Sequence, residues 1–387
     1  MKVRNMKKKI LLLVSYILVA ALASAATLFL VPQEAEAPCK LEQLEELIQE
    51  RFIEEADTTA MEDAAAHAMI ASLGDRWSYY IPASEYETHL EEMANAYVGI
   101  GITILQREDG SGLEIMIVNE GGPSQEAGLQ VGDLIVAVDG NSVVGMPATE
   151  AKNYVRGVEN TQVDITVIRD GEELTLPVTR RQIQVPVAEG VMLENSIGLV
   201  TIENFDSRCA EETIAAIETL LEQGAEKLIF DVRGNPGGYA HELVKVLDYL
   251  LPEGELFRTV NYAGREAVDR SDARCLEIPM AVLVNEDSYS AAEFFAAALS
   301  EYEAAIVVGT QTSGKGHYQN TFELKDGSAV GLSVGKYYTP KGVGLEEVGI
   351  IPDVVVPVDD ETMAAIYYDR MEPEEDPQIQ AAVEALE

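Results

Sequence analysis

Histidine is scarce in this chain of 387 residues: His67, His89, His241 and His317 are the four. His241-Glu242 does not continue to the HExxH of zinc peptidases, because Lys245 stands where the second histidine belongs. The three cysteines, Cys39, Cys209 and Cys275, show no CxxC spacing, so no zinc or thioredoxin-like motif is spelled. An odd cysteine count also argues against a disulfide framework. The bases that remain are lysines and carboxylates. Against that background residues 282–298, VLVNEDSYSAAEFFAAA, stand out. An apolar strand-like run passes through a polar turn into an alanine-rich helical pattern, and Ser290 falls at or beside the helix start. Two readings fit. Ser290 or Ser288 caps the helix. Alternatively Ser290 is a nucleophile, and the positive helix end with the next backbone N–H, that of Ala291, stabilises an oxyanion.

Three other strings fail on their surroundings. Gly309-Thr-Gln-Thr-Ser-Gly-Lys315 spells most of a P-loop, but Gly316 replaces the Ser or Thr that holds Mg²⁺. Residues 317–324 then alternate like a strand, where a phosphate-binding helix should begin. Gly331-Leu-Ser333-Val-Gly335 has the spacing of a nucleophile elbow, whose fold orders its triad serine, acid, histidine. No histidine follows His317. Ser313, two residues before Lys315, does not match Ser-x-x-Lys.

The elements that must position Ser290 can be read from hydrophobic periodicity. Residues 39–73 predict two helices, the second over 60–73 and capped by Thr58 or Thr59. From Tyr97 short strands broken by glycine take over: 98–105, 114–118, 134–138, 163–168 and 174–178, with helices at 124–127 and 148–155. From Ile183 strands and helices alternate. Strands are expected at 197–202, 227–232, 279–284 and 305–309, helices at 209–223, 241–251 and 291–300. That alternation is the signature of an α/β core. A final helix is expected over 378–386. The fold class is multidomain α/β.

Four segments, in order, resemble the carboxyl-terminal processing peptidases, tail-specific serine proteases of Ser–Lys type (family S41) with an inserted PDZ domain. Gly74-Asp-Arg-Trp-Ser-Tyr-Tyr80 is similar to the motif that precedes their PDZ domain. Leu228-Ile-Phe-Asp-Val-Arg-Gly-Asn-Pro-Gly-Gly238 resembles their L-D-L-R-x-N-x-G-G segment. Ser288-Tyr-Ser290-Ala-Ala-Glu293 resembles their nucleophile segment, from which Tyr289 and Ala292 depart. Thr312-Ser-Gly-Lys315-Gly-His-Tyr-Gln319 resembles the segment that supplies the base and its partner. Tyr97-Val-Gly-Ile-Gly-Ile102 is similar to the carboxylate-binding loop of PDZ domains, and Pro123–Leu129 with Gly132-Asp133 and Val138-Asp-Gly140 resembles their core pattern.

The resemblance implies a crotonase-like α/β peptidase core and a division of roles. Ser290 forms an acyl-enzyme, neutral Lys315 is the base, and Gln319 orients its amine. The N–H groups of Ala291 and Gly237 form the oxyanion hole, with Gly238 the less favoured alternative. Arg233 supports the loop. The PDZ loop Gly99, Ile100, Gly101 and Ile102 captures a peptide's free, apolar C-terminus by strand addition. No metal or cofactor is implied. The implied regions are a helical segment over 32–94, a PDZ domain over 95–180, a peptidase core over 181–360 and an acidic helical tail over 361–387. The helices at 40–73 and 378–387 are candidates for a homodimer contact, because neither is expected to bury its apolar face alone.

Charge and the N-terminus place the protein. The formal net charge is −40, from 27 Lys and Arg against 67 Asp and Glu. Such a surface repels phosphate backbones, which excludes nucleic-acid binding. Lys2, Arg4, Lys7, Lys8 and Lys9 precede an uncharged apolar run over 10–31. A bilayer span needs ~20 such residues, and basic residues before it keep that end in the cytoplasm. Residues 1–31 therefore read as a signal anchor, or as a signal peptide cleaved near Ala23-Ser-Ala25. Either way the catalytic body is expected outside the cytoplasm, tethered to the cell membrane or secreted.

Overall fold

The computed structural model describes residues 15–18, 39–107, 109–367 and 371–387. The expected anchor over 10–31 lies outside them except for 15–18. Among the described residues no helix is long and apolar enough to cross a membrane. The chain divides into two compact units, residues 1–69 and 70–387.

In the first unit the helix Lys40–Arg51 buries no residue, and Leu41, Leu44 and Leu47 stay exposed. The second helix begins earlier than expected, at Thr58. Asp57 is the reason: its Oδ1 accepts the Ala60 N–H at 3.1 Å and its carbonyl accepts that of Met61. An aspartate satisfies the orphan donors of the first turn, so neither Thr58 nor Thr59 is the cap.

The larger unit is built on a six-stranded sheet in the order Ala188–Met192, Ile197–Ile202, Lys227–Asp231, Met280–Val284, Ala305–Gly309, Val354–Val355. Only the first pair is antiparallel. The inner strands are unbroken apolar runs because both faces are covered. Leu228, Phe230 and Val282 face the helices Cys209–Glu222, Ala240–Leu250 and Ala291–Glu301. Ile229, Ala281 and Leu283 face the opposite way, onto the C-terminal helix Pro377–Ala385. That corrects the expectation for 378–387. Ile379, Ala382 and Leu386 are buried against the chain's own sheet, so this helix has no free apolar face to offer a dimer.

A second, antiparallel sheet joins Tyr79–Ile81, Ala329–Tyr338, Gly254–Asn261 and Glu266–Ser271, with His317–Glu323 paired to Ala329–Tyr338. It carries the 74–80 motif and the loop of Lys315 into one region.

Residues 102–179 form a separate sheet, Ile102–Gln106, Leu113–Val118, Leu134–Val138, Gln162–Arg169 and Glu172–Thr179, around a core that includes Leu113, Ile115, Ile135, Val163 and Ile165. The single strand expected over 98–105 is two strands. Ala96–Gly99 pairs with Arg181–Gln184, and Ile102–Gln106 pairs with Leu113–Val118. The break falls at Gly101, whose φ of 72° is accessible at little cost only to glycine.

Candidate active site

The strand Met280–Val284 delivers the chain to a turn that is tied down at every residue. Ser288 Oγ donates to the Val232 carbonyl at 2.7 Å and accepts the Asn285 N–H at 3.0 Å. Asn285 Oδ1 accepts the Gly234 N–H at 2.8 Å, and the Tyr289 N–H donates to the Asn235 carbonyl at 3.1 Å. Ser288 is therefore a turn residue and not the helix cap. Ser290 does occupy the cap position, but with φ 58° and ψ −122°. A non-glycine residue there is strained by about 1–3 kcal/mol, a conformation that persists only where the surroundings over-determine it. Glu293, at the third helical position, closes a capping box with Ser290: its Oε2 takes the Ser290 N–H at 2.9 Å.

Gly237 lies against this serine. A Cβ added to Gly237 would sit 2.7 Å from Ser290 Cβ and 2.9 Å from the Ala291 nitrogen, and its φ is 91°. Only glycine fits on both counts. Its N–H donates to Asn235 Oδ1 at 2.8 Å. Among the described residues no backbone carbonyl accepts the Ala291 N–H, at the first position of the helix. Gly238 is glycine for another reason: its backbone lies on Phe205, where a Cβ would meet the carbonyl carbon at 2.3 Å.

Glu293 brings the serine and the lysine segments together. It is fully buried and accepts four hydrogen bonds: Thr312 Oγ1 at 2.6 Å and the Gly314 N–H at 2.7 Å on Oε1, the Ser290 N–H at 2.9 Å and the Lys315 N–H at 2.8 Å on Oε2. Burial raises its pKa; the bonds only partly oppose that.

The Lys315 side chain is withdrawn from water. Its Nζ lies 4.9 Å from the ring centre of Trp77 and 5.6 Å from that of Tyr289, two rings that stack at 6.0 Å. Burial lowers its pKa to about 8, against the opposing pull of Glu293, Glu346 and Asp75. Trp77 is held in place through Nε1–H to Glu346 Oε1 at 3.1 Å, and Glu346 Oε2 accepts the Gly316 N–H at 2.7 Å. Asp75 fixes the turn beneath it by accepting the Trp77 N–H at 3.2 Å and the Ser78 hydroxyl at 2.5 Å. The 74–80 motif is thus a wall of the lysine's environment.

Gln319 is close in sequence, but its Nε2 donates to the His317 carbonyl at 3.1 Å and to Ser333 Oγ at 3.0 Å. The described hydrogen bonds include none from that amide to Lys315. Tyr337, half-buried and packed on Phe257 and on Phe294 of the nucleophile's helix, has its pKa raised by burial. Tyr337 and Glu346 do not stand out in the sequence, and Trp77, Tyr289 and Glu293 stand there only inside motifs, with no role of their own. For Glu293 a signal existed: Ser290-x-x-Glu293 has the spacing of a capping box. For Trp77 and Tyr337 no signal pointed to the lysine or the serine, since sheet pairing across long separations brings their segments in.

The second concave site is a groove of about 420 Å³ beside the edge strand Ile102–Gln106 and the helix Ala148–Val155. Gly99, Ile100, Gly101 and Ile102 line it, with Lys152 and Arg156 on the helical side. The Ile100 carbonyl is tied inward by the Ser124 N–H at 3.1 Å and hydroxyl at 2.6 Å, and the Gly101 carbonyl by the Asn119 N–H at 3.0 Å.

An α/β core with a strained serine at a strand-to-helix junction, beside a glycine turn and a water-poor lysine, defines a serine-type peptidase that also carries a PDZ module. Residues 196–356 match peptidase family S41 and residues 114–169 match the PDZ domain. The chain is 33% identical over 365 residues to the carboxy-terminal processing protease CtpA of Bacillus subtilis (strain 168), across 90% of this chain and 78% of that protein. It is 32% identical over 331 residues to a "probable CtpA-like serine protease" of Staphylococcus aureus (strain COL), across 82% of this chain and 64% of that one. A crystal structure of an S41 protease from Bacteroides fragilis NCTC 9343 shares the fold at a TM-score of 0.51 and 16% identity, over 91% of this chain and 98% of that chain. The chain belongs to peptidase family S41, among the carboxy-terminal processing proteases.

Proposed function

We propose that this peptidase is exported, cuts protein substrates near their C-terminus by a Ser–Lys mechanism, and selects them through the PDZ groove. The observation that carries the catalytic part is the Glu293 carboxylate, bonded at once to the backbones of Ser290 and Lys315. Ser290 Oγ attacks the scissile carbonyl and its proton passes to neutral Lys315 Nζ. The lysinium returns the proton to the departing amine. Water, deprotonated by the same lysine, then hydrolyses the acyl ester. Gln319 orients the amine through Oε1, since its nitrogen is already engaged by His317 and Ser333. The tetrahedral oxyanion takes the Ala291 N–H and the Gly237 N–H, which exchanges Asn235 Oδ1 for the new acceptor. The basic cluster and apolar run over 1–31 support export, as an anchor or as a cleaved signal.

In the PDZ groove, the turned-in carbonyls of Ile100 and Gly101 support a loop whose amides receive a carboxylate. The Ile102–Gln106 edge then offers the unpaired donors and acceptors for strand addition. The test uses full-length Ser290→Ala protein and one peptide with an apolar last residue, made as the free acid and as the C-terminal amide. Amidation is expected to weaken binding at least tenfold, measured by fluorescence polarisation. Equal affinity for the two forms would refute capture of a free C-terminus. The Lys152 and Arg156 side chains make the difference smaller at high salt.

A further inference from the structure

The C-terminal helix reaches the active site through one buried arginine. Arg233, 5% exposed at its side chain, opens the turn Arg233–Gly238 that contains Gly237, the glycine beside Ser290. Asp231 takes its Nε at 2.9 Å and Nη2 at 2.5 Å. The remaining nitrogen, Nη1, belongs to the end of the chain: Asp376 Oδ2 lies at 2.8 Å and Gln378 Oε1 at 2.9 Å. Asp376 is 4% exposed at its side chain, and its other oxygen caps the helix Pro377–Ala385 by accepting the Gln378 and Ile379 N–H groups at 2.8 and 3.2 Å. Gln378 is itself anchored through Nε2 to the Val356 carbonyl at 2.8 Å.

From Arg233 the linkage runs on without a gap. The Gly234 N–H bonds Asn285 Oδ1 in the nucleophile turn, and Asn235 Nδ2 bonds the Ile202 carbonyl at 2.7 Å. Asn235 Oδ1 holds the Gly237 N–H, and the Gly237 carbonyl accepts the Phe205 N–H at 2.7 Å. A buried guanidinium with all its partners in place cannot shift without leaving a charge unpaired in a dry site. The turn's position therefore depends on both ends of the Arg233 bridge, and one end is supplied by the tail.

We propose that Asp376 and Gln378 are positioning residues for catalysis: the tail helix holds Arg233, and through it the Gly234–Gly238 turn, at the spacing from Ser290 and Ala291 that the transition state needs. The proposal rests on the Ser290 mechanism given above. It makes the last dozen residues a working part of the active site. Loss or displacement of that helix would switch the enzyme off without touching Ser290 or Lys315.

Asp376→Asn is the test, because it is isosteric, keeps the Oδ1 cap and removes the charge facing Arg233. With an internally quenched peptide ending in a free valine, kcat is expected to fall at least tenfold while KM stays within twofold, the pattern of an interaction made in the transition state. Asp376→Glu is expected to recover part of the loss. Ile379→Ala is the control: it loosens the same helix through packing alone, and its kcat per folded molecule is expected to stay within threefold of wild type. A folded Asp376→Asn with wild-type kcat would overturn the proposal, as would an Ile379→Ala loss equal to that of Asp376→Asn at matched stability. Should Asp376→Asn fail to fold, Gln378→Met, which leaves the cap and removes one Arg233 acceptor, is read by the same criterion. Turnover by Ser290→Ala would instead sink the underlying mechanism, so the two failures are separable.

Discussion

Ser290→Ala is expected to eliminate peptide hydrolysis, by about 10⁴-fold or more in kcat, and to leave the protein folded. Alanine inherits the same φ of 58° and ψ of −122°, so the backbone strain is unchanged. Ser290 is 5% exposed, so the loss to folding is that of one buried hydroxyl, worth about 1 kcal/mol. Glu293 bonds the backbone N–H at this position, which any residue other than proline supplies. The turn and the Lys315 loop therefore stay in register. Ser290→Gly separates the two contributions. Glycine adopts this conformation without the Cβ clash, so it should be more stable than Ser290→Ala by about 1 kcal/mol, and equally inactive. Urea denaturation of the three proteins, beside their turnover of one fluorogenic peptide, checks both statements. Hydrolysis by Ser290→Ala above a thousandth of the wild-type rate would remove Ser290 from the nucleophile's position.

The parallel core was legible because burial on both faces writes itself as uninterrupted apolar runs. The strands Ile197–Ile202 and Ala305–Gly309 fall on the expected residues. Antiparallel Gly254–Asn261 and Glu266–Ser271 were not legible. Gly254–Asn261 is mostly half-exposed and Glu266–Ser271 mostly exposed, with charges interspersed, so no period stands out. The tail helix was found, but its partner was misjudged. Its apolar positions are few, and the face they cover is the back of a sheet whose strands come from well-separated stretches of sequence. Periodicity says that a face is apolar; it does not say what covers it.

The same division runs through the site. Ser290, Lys315 and the glycine turn stand out as local strings, because special backbone geometry demands particular residue types at fixed spacing. The environment that gives Lys315 its chemistry is not local. Trp77 lies far upstream, Tyr289 on the nucleophile turn, and Glu346 on a loop beyond the second sheet. Glu293 is the exception: it is three residues from Ser290, and its role in joining two loops needed the fold to be seen.

Lys315→Arg is expected to be as inactive as Lys315→Ala. Arginine keeps the charge and most of the length, but it does not deprotonate in a protein, so it cannot take the Ser290 proton. Wild-type kcat should rise with pH and level off above about 8, the value to which burial lowers the lysine. Trp77→Ala opens one wall of that environment to water, so its rising limb should move to higher pH while the plateau stays measurable. The sign of the stability effect follows from the same shift. The unfolded lysine holds its proton up to its ordinary 10.5, the folded one only to about 8. Between those values the unfolded chain binds more protons, so stability rises with pH across that window. Below about pH 8 the folded protein carries the whole penalty, about 3 kcal/mol. Lys315→Met, which fills the space without the charge, should therefore be inactive yet more stable than wild type at pH 7 by up to that amount. The advantage should vanish near pH 10.5. Denaturant midpoints for the two proteins at both pH values decide it. A Lys315→Met protein no more stable than wild type at pH 7 would mean that the lysine is not desolvated, and an active Lys315→Arg would mean that it works as a cation and not as a base.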